Sequence, residues 1–248
     1  MREFICDFHI HTCLSPCASL DMSPRTIVAT SLAKGIDIIA ITDHNSMDNI
    51  PHVVACAQGT PLTVLAGMEI TTAEEVHIIA LFASVTDIMP LQQLVNDNLS
   101  GINDEERFGV QVIVNSADEV EGFNERLLIG ATSLALNDVV LAIKRFGGIA
   151  IASHIDRHAF SVISQLGFVN ESMGFNAVEV VTLTDEAAKK ILPCGTPIIR
   201  SSDAHQPEDI GKRTTTFLLA KGDFNELKLA LASRCGSVAG ALLQGREK

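Results

Sequence analysis

Histidine and carboxylate residues follow short apolar runs at widely separated places in this chain. The clusters are Asp7-Phe8-His9-Ile10-His11, Thr42-Asp43-His44-Asn45, His154 and Ser202-Asp203-Ala204-His205, and His77 also adjoins an apolar run. Because the carboxyl ends of parallel strands meet at one face of a barrel or open sheet, residues far apart in sequence can converge there. The pattern predicts one shared site, and imidazole with carboxylate is a donor set for divalent zinc, manganese or iron.

The composition narrows the choice of partners. The chain has 248 residues, 47% of them hydrophobic, which is enough for one large α/β domain or two small ones. Its formal net charge of −12 argues against binding a long nucleic acid, which requires clustered Lys and Arg. A small anionic substrate is compatible with this charge, because bound divalent ions can make the local field positive.

The sequence shows no signal peptide and no apolar run long enough to cross a membrane. Six cysteines lie at irregular spacing that does not match an iron–sulfur cluster: Cys6, Cys13, Cys17, Cys56, Cys194 and Cys235. A chain of this length can fold without disulfides. We therefore expect reduced thiols, a cytoplasmic location and no membrane partner.

Strand-like and helix-like segments alternate, which indicates a parallel sheet with crossover helices. The predicted strands are 3–11, 37–42, 62–66, 76–82, 148–153, 177–182, 197–201 and 214–219. Helices are predicted from Ser23 to Gly35, from Asn137 to Phe146, from Thr184 to Leu192 and from Asp223 to about Arg234. The segment 86–136 is too long for a simple loop. We expect it to be an inserted, mostly helical subdomain, with a helix at 87–99, within one domain spanning 1–248.

Alternate residues of a strand share a face, so Asp7, His9 and His11 are expected on one face and Phe8 and Ile10 on the other. This spacing can deliver two imidazoles to one metal ion. Taken alone, it is a moderate signal, and the alternative is a packed pair of strand histidines.

Together and in this order, the motifs resemble those of the polymerase and histidinol phosphatase (PHP) superfamily. The resemblance covers nearly the whole chain apart from 86–136, and it implies a distorted (β/α)7 barrel that holds two or three divalent ions (Zn, Mn or Fe). The metal ligands that it implies are His9, His11, His44, Glu69, His77, His154, Asp203 and His205, with Glu69 as the bridging carboxylate.

One position departs from the family pattern. Many members carry Asp or His five or six residues after the second histidine of the first motif, whereas this chain has Cys17 there. A thiolate ligand at Cys17 would favour zinc or iron. The alternatives are a buried thiol and a site with one ligand fewer.

The resemblance implies hydrolysis of a small phosphorylated metabolite or nucleotide by a metal-activated hydroxide. Arg157 and Arg200 are candidates to hold the non-reacting phosphate oxygens, and a structural salt bridge is the alternative for each. Asp43 is a candidate to orient a ligand or to protonate the leaving group, or else it caps a turn. Two other functions stay open: a non-catalytic metal-binding or regulatory module, and an exonuclease acting on short oligonucleotides.

Overall fold

The computed structural model describes residues 1–232 and 241–247. Its centre is a nine-stranded sheet with the strand order β11-β10-β1-β2-β3-β4-β7-β8-β9, and two further strands pair in a small separate sheet. The strands are β1 (Arg2–Ile10), β2 (Ile38–Ile41), β3 (Thr63–Thr71), β4 (His77–Phe82), β5 (Val112–Val114), β6 (Val120–Phe123), β7 (Ile149–Ala152), β8 (Ala177–Glu179), β9 (Ile198–Ile199), β10 (Arg213–Leu219) and β11 (Ala241–Glu247).

The helices are α1 (Pro24–Ala33), α2 (Ile50–Ala57), α3 (Val85–Asn98), α4 (Glu105–Phe108), α5 (Leu136–Arg145), α6 (Val162–Leu166), α7 (Asp185–Ile191) and α8 (Phe224–Ala232), with one 3₁₀ turn at Glu171–Met173. Ser23 and Thr184 cap α1 and α7 as predicted. Helix α5 begins at Leu136 rather than after Asn137, because the Glu74 carboxylate accepts the free Leu136 N–H. The predicted end of the last helix, near Arg234, lies outside the described residues. Among the described residues, no helix combines the length and the apolarity needed to cross a membrane.

Seven strands close into a barrel in the order β1-β2-β3-β4-β7-β8-β9. The chain that follows β9 returns to β1, where Ile10 and Ala204 form a parallel bridge. The Ala204 carbonyl accepts the His11 N–H at 3.0 Å, and the Ala204 N–H donates to the His9 carbonyl at 3.1 Å. This closure confirms the (β/α)7 architecture that the resemblance implied.

Two apolar clusters separate the inside of the barrel from its helical layer. The inner cluster takes residues from all seven barrel strands, among them Phe8, Leu65 and Ile199. The outer cluster joins strand residues such as Ile10 to the buried faces of α1, α2, α3 and α5. Phe8 and Ile10 therefore pack on different sides of the barrel wall, although simple alternation puts them on one face.

The barrel is distorted because β4 runs antiparallel to both β3 and β7. A turn of five residues joins β3 to β4, which is too short for the crossover that a parallel pair requires. Strands β10 and β11 are also antiparallel and extend the sheet beyond β1.

The segment 86–136 divides into two parts. Helix α3 packs on β3 and β4 as part of the helical layer of the barrel. The remainder contains α4 and the small β5–β6 sheet. These two strands have only three and four residues, too few for a clear periodic signal, and the sequence did not predict them.

Candidate metal centre

Five histidines surround the buried carboxylate of Glu69, which lies near the carboxyl end of β3. The ring nitrogens of His9, His11, His44, His77 and His154 lie between 3.0 and 3.4 Å from the two carboxylate oxygens. His205 stacks on His11, with 4.3 Å between the ring centroids. The predicted histidines thus come from β1, β4 and the loops after β2, β7 and β9 into one cluster.

Asp203 supplies a second carboxylate to the same cluster. Its Oδ1 lies 3.1 Å from His9 Nε2 and 3.3 Å from His11 Nε2, and its Oδ2 lies 2.5 Å from an Arg157 guanidinium nitrogen. Asp203 and His154 both have positive φ angles, +53° and +27°, which are uncommon for residues other than glycine. Backbone strain of this kind is typical of functional sites.

The carboxylates of the cluster require positive charge around them. Burial would raise the pKa of Glu69, but His77 and His9 lower it well below its usual value. Burial would likewise raise the pKa of Asp203, but His9 and His11 lower it well below the usual range. Burial lowers the pKa of His9, yet Asp203, Glu179 and Glu69 together raise it well above its usual value. Without metal, histidine protons supply this charge, and divalent cations are suited to take their place.

In three histidines, one ring nitrogen is hydrogen-bonded to another protein group, and the other ring nitrogen is available to the cluster. His9 Nδ1 lies 3.0 Å from the buried Glu179 carboxylate, and His205 Nδ1 lies 2.9 Å from the Asp203 carbonyl. His11 Nδ1 lies 2.9 Å from Ser15 Oγ.

The other three histidines have a buried nitrogen without a hydrogen bond. These atoms are the Nδ1 atoms of His44, His77 and His154. Buried ring nitrogens are normally hydrogen-bonded, whereas the Nδ1 atoms of His44 and His77 face the Glu69 carboxylate at 3.3 and 3.0 Å without a hydrogen bond, which fits metal coordination. Three groups of ligand atoms lie close enough together to hold an ion: His9-His11-Glu69, His44-Glu69-His77 and His11-Cys17-His44-His205.

The hydrogen bonds around Ser15 determine which His11 nitrogen carries the proton. Asp43 accepts hydrogen bonds from the Thr12 N–H, the Thr12 hydroxyl and the Ser15 hydroxyl, at 2.6–2.7 Å. The single Ser15 proton is therefore used, and Ser15 Oγ also accepts the His44 N–H. His11 Nδ1 must then donate to Ser15, which makes Nε2, beside Glu69 and Asp203, the nitrogen that would bind a metal ion in place of a proton.

We expect Ser15→Ala to weaken metal binding by about 10- to 100-fold, because His11 loses the acceptor that sets its tautomer. Chelator competition measures the affinity, and ¹⁵N NMR of the His11 ring reports the tautomer. Ser31→Ala is the matched control, since Ser31 is also buried and donates to the Ile27 carbonyl inside α1, away from the cluster. Equal metal affinity in Ser15→Ala and Ser31→Ala would contradict this role for Ser15.

Two residues that were predicted to face the site, Arg200 and Asp7, contact other groups instead. The Arg200 guanidinium bonds to the carbonyls of Val180 and Leu183 and pairs with Asp185 at 3.0 Å, so it braces the loop before α7 and does not reach the cluster. Asp7 accepts the N–H groups of Ser202 and Gly211 instead of facing the histidines. The cause is a register shift against β2 between Asp7 and Ile10, which breaks the predicted alternation.

The remaining candidates lie at or beside the cluster. Asp43 is fully buried behind His11, which fits orientation of a ligand and not proton donation to a substrate. Cys17 is exposed and close to His11, His44 and His205. Glu179, which was not among the predicted site residues, also accepts the His154 N–H at 2.9 Å. An acidic residue inside the apolar run of β8 was the available signal.

A cavity of about 360 Å³ opens onto the cluster. Its lining residues are Cys17, His44, Glu69, His77, Ile129, His154, Arg157, His158, Ala159, Phe160, Asp203 and His205. The loop that carries Ile129 is held in place by the Asn45 side-chain amide, which donates to the carbonyls of Leu128 and Gly130 at 2.8 and 2.9 Å. The segment 86–136 therefore contributes one residue, Ile129, to the lining of the cavity.

Several solved structures are similar to this fold. Endonuclease Q from Pyrococcus furiosus, a lesion-specific endonuclease, has a TM-score of 0.74 at 15% identity, over 98% of this chain and 58% of the other. A complex of endonuclease Q with a 27-mer duplex that has an abasic lesion at the active site gives a TM-score of 0.72 at 14% identity, over 98% and 59%. This chain thus spans under two thirds of the length of these neighbours.

A smaller neighbour is an amidohydrolase from Chromobacterium violaceum, with a TM-score of 0.55 at 18% identity, over 83% of this chain and 89% of the other. No curated protein sequence matches the chain significantly. A family model of the PHP domain matches residues 7–160, which is more than half of the 248 residues. By this match, and in agreement with its barrel, the chain belongs to the PHP domain family.

Proposed function

We propose that this protein is a metal-dependent phosphoesterase that hydrolyses a small phosphorylated metabolite or nucleotide. The observation that carries the proposal is the position of Glu69, surrounded by five histidine nitrogens within 3.4 Å at the base of an open cavity. Such a donor set fits zinc, manganese or iron better than magnesium, which prefers oxygen ligands.

The proposed ligands of two or three ions are His9, His11, His44, Glu69, His77, His154, Asp203 and His205, with Cys17 as a ninth. Glu69 has both oxygens within reach of different histidines, which suits a bridging carboxylate. When bound, divalent ions supply the Lewis acidity that lets water attack phosphorus at neutral pH. Glu179 and Ser15 orient His9 and His11 for this purpose.

The substrate phosphate is proposed to bind between the cluster and Arg157. The Arg157 side chain lines the cavity and is 40% exposed, so its guanidinium can turn from Asp203 to a phosphate oxygen. Water adds to phosphorus as the ester oxygen leaves, and the products are free phosphate and an alcohol. Arg200 has no part in this step.

Elemental analysis of the untreated protein, combined with a phosphatase screen after manganese loading, tests the proposal. We expect two or three ions per chain and release of phosphate from at least one small phosphomonoester. A single ion in a closed site would favour the non-catalytic module instead. A loaded protein that leaves phosphomonoesters, nucleotide bisphosphates and short oligonucleotides intact would contradict the proposal.

Cleavage of DNA is a second candidate, because endonuclease Q matches 98% of this chain. The net charge of −12 argues against it, since a duplex requires a basic track. Incubation with a duplex that contains an abasic lesion distinguishes an endonuclease from a phosphoesterase that acts on small esters. Cleavage of that duplex, with no release of phosphate from small esters, would favour the endonuclease.

We expect Arg157→Ala to lower kcat/KM by about 10- to 100-fold, the usual cost of losing a hydrogen bond to a charged group. Metal content should stay near that of the unmodified protein, because Arg157 is not a proposed ligand. Kinetics and elemental analysis on the same sample check both points. If Arg157→Ala also emptied the centre, the pairing with Asp203 would be its main role.

Two further expectations accompany this function. We propose that 1–248 forms a single domain in which part of 86–136 shapes the cavity, as the position of Ile129 suggests. The cysteines among the described residues, Cys6, Cys13, Cys17, Cys56 and Cys194, are free thiols. This agrees with a cytoplasmic location, which stays a prediction.

A further inference from the structure

The cavity has an apolar side next to the metal cluster. Ile129, Ala159 and Phe160 line this side, and no Ser, Thr, Asn, Gln or Tyr is among the described residues that line the cavity. A sugar phosphate presents several hydroxyl groups, and binding them requires hydrogen-bonding partners. Among the lining residues, hydrogen-bonding side chains are confined to the metal-binding cluster and to Cys17, Arg157 and His158, so the side formed by Ile129, Ala159 and Phe160 suits an apolar part of the leaving group.

Phe160 is held firmly beside the cluster. Its carbonyl accepts the His77 N–H at 2.9 Å, and its ring stacks on the His77 ring with 4.6 Å between centroids and 18° between planes. Its φ of +55° is uncommon for a bulky residue. A strained backbone that fixes an aromatic ring at the mouth of a cavity indicates a ring placed for contact with a ligand.

Only part of the Phe160 ring is covered. The ring stacks on His77, yet the residue is 39% exposed and faces the cavity. A flat ring in the ligand can cover this surface by offset or edge-to-face contact, which a puckered ring of equal size does less well. Ile129 borders the same space and is fixed through the Asn45 hydrogen bonds.

We propose that Phe160, Ile129 and Ala159 form a binding subsite for a flat, unsaturated ring in the leaving group of the phosphoester. The inference rests on the proposed function, because it needs the phosphate at the metal centre. Aryl esters and nucleotides share this chemistry. Sugar phosphates and aliphatic phosphates lack it.

Calorimetric titration of the metal-loaded protein with three phosphonates tests the subsite, since phosphonates have no ester bond to cleave. Phenylphosphonate and cyclohexylphosphonate differ mainly in flatness, and methylphosphonate reports the metal centre alone. We expect the phenyl compound to bind about 3- to 10-fold more tightly than the cyclohexyl compound. Phe160→Leu should abolish this difference, and the affinity of the same variant for methylphosphonate corrects for any change at the metal centre that follows from lost stacking on His77.

Phe168→Leu is the matched control, because Phe168 is exposed and does not line the cavity. It should keep the preference for phenylphosphonate, and elemental analysis should show equal metal content in both variants. Equal binding of phenyl- and cyclohexylphosphonate, or a preference that survives in Phe160→Leu, would overturn the subsite while leaving the phosphoesterase intact. Failure of all three phosphonates to bind would overturn the proposed function and the subsite together.

A fluorescent ligand distinguishes the two sources of a flat ring. The chain contains no Trp and no Tyr, so a 2-aminopurine nucleoside phosphonate can be observed without interfering protein emission. Quenching on binding that disappears in Phe160→Leu assigns the subsite to a nucleobase. A phenyl preference without binding of the nucleoside phosphonate assigns it to a smaller aryl group. Quenching that persists unchanged in Phe160→Leu would count against the subsite.

Discussion

Glu69→Gln is expected to lower phosphoesterase activity by about 10³-fold or more, because it removes the negative charge that the proposed ions share. The substitution keeps the size of the side chain but replaces one oxygen by an NH₂ group, which can only donate. Five imidazoles face this position within 3.4 Å, so the carboxylate that would join the ions is replaced by a neutral amide, which is a much weaker metal ligand. We expect the variant to lose at least one ion per chain, as measured by elemental analysis beside the kinetic assay.

Glu121→Gln is the matched control for Glu69→Gln. The Glu121 side chain is 51% exposed and lies against His52, outside the cavity. Circular dichroism should show both variants folded, because the inner apolar cluster of the barrel contains neither residue. A Glu69→Gln protein with full metal content and normal turnover would show that the carboxylate is not a ligand.

Removal of metal with a chelator is expected to reduce phosphate release to the uncatalysed background. Addition of manganese or zinc should restore it, whereas magnesium should be less effective because most of the proposed ligands are imidazoles. Metal present at 100 times its dissociation constant stabilises the folded state by about 2.7 kcal/mol, which corresponds to a rise in Tm of roughly 5–10 °C for a chain of this size. Differential scanning calorimetry on stripped and reloaded protein measures this rise.

In the chelation experiment, Tm reports metal binding and phosphate release reports catalysis, so the two measurements distinguish a protein that binds no metal from one that binds metal without catalysis. An unchanged Tm together with unchanged activity in excess chelator would contradict metal dependence altogether. A rise in Tm on reloading without any return of activity would support a metal-binding module that does not catalyse phosphoester hydrolysis.

Local sequence patterns were sufficient to predict the barrel strands. Apolar runs of four to nine residues stand out from capped helices, and all eight predicted strands are present, although the strand predicted at 62–66 continues to Thr71 and the one at 197–201 is only Ile198–Ile199. The convergence of His9, His44, His154 and His205 was also predictable. Each lies at or just beyond the carboxyl end of its strand, and barrel closure brings those ends together. The ligand roles themselves stay predictions until a metal is measured.

The two arginines show where local patterns stop being informative. Arg157 and Arg200 each lie three residues from a proposed ligand, and the sequence treats them alike. In the folded chain, Arg157 reaches Asp203, whereas three acceptors around the loop before α7 hold Arg200. The direction of a long side chain depends on acceptors supplied by distant segments.

Local patterns in the sequence determined the strands and the α/β class, because backbone periodicity and residue type act over a few neighbouring residues, and the resemblance of the motifs to a family implied the barrel and the set of metal-binding candidates. Tertiary structure decided the rest. It placed Glu179 behind His9, joined Asp43 to His11 through Ser15, turned Asp7 away from the cluster and brought Ile129 and Phe160 into the lining of one cavity. These arrangements depend on barrel closure and on the register shift in β1, both of which arise from contacts between residues far apart in the chain.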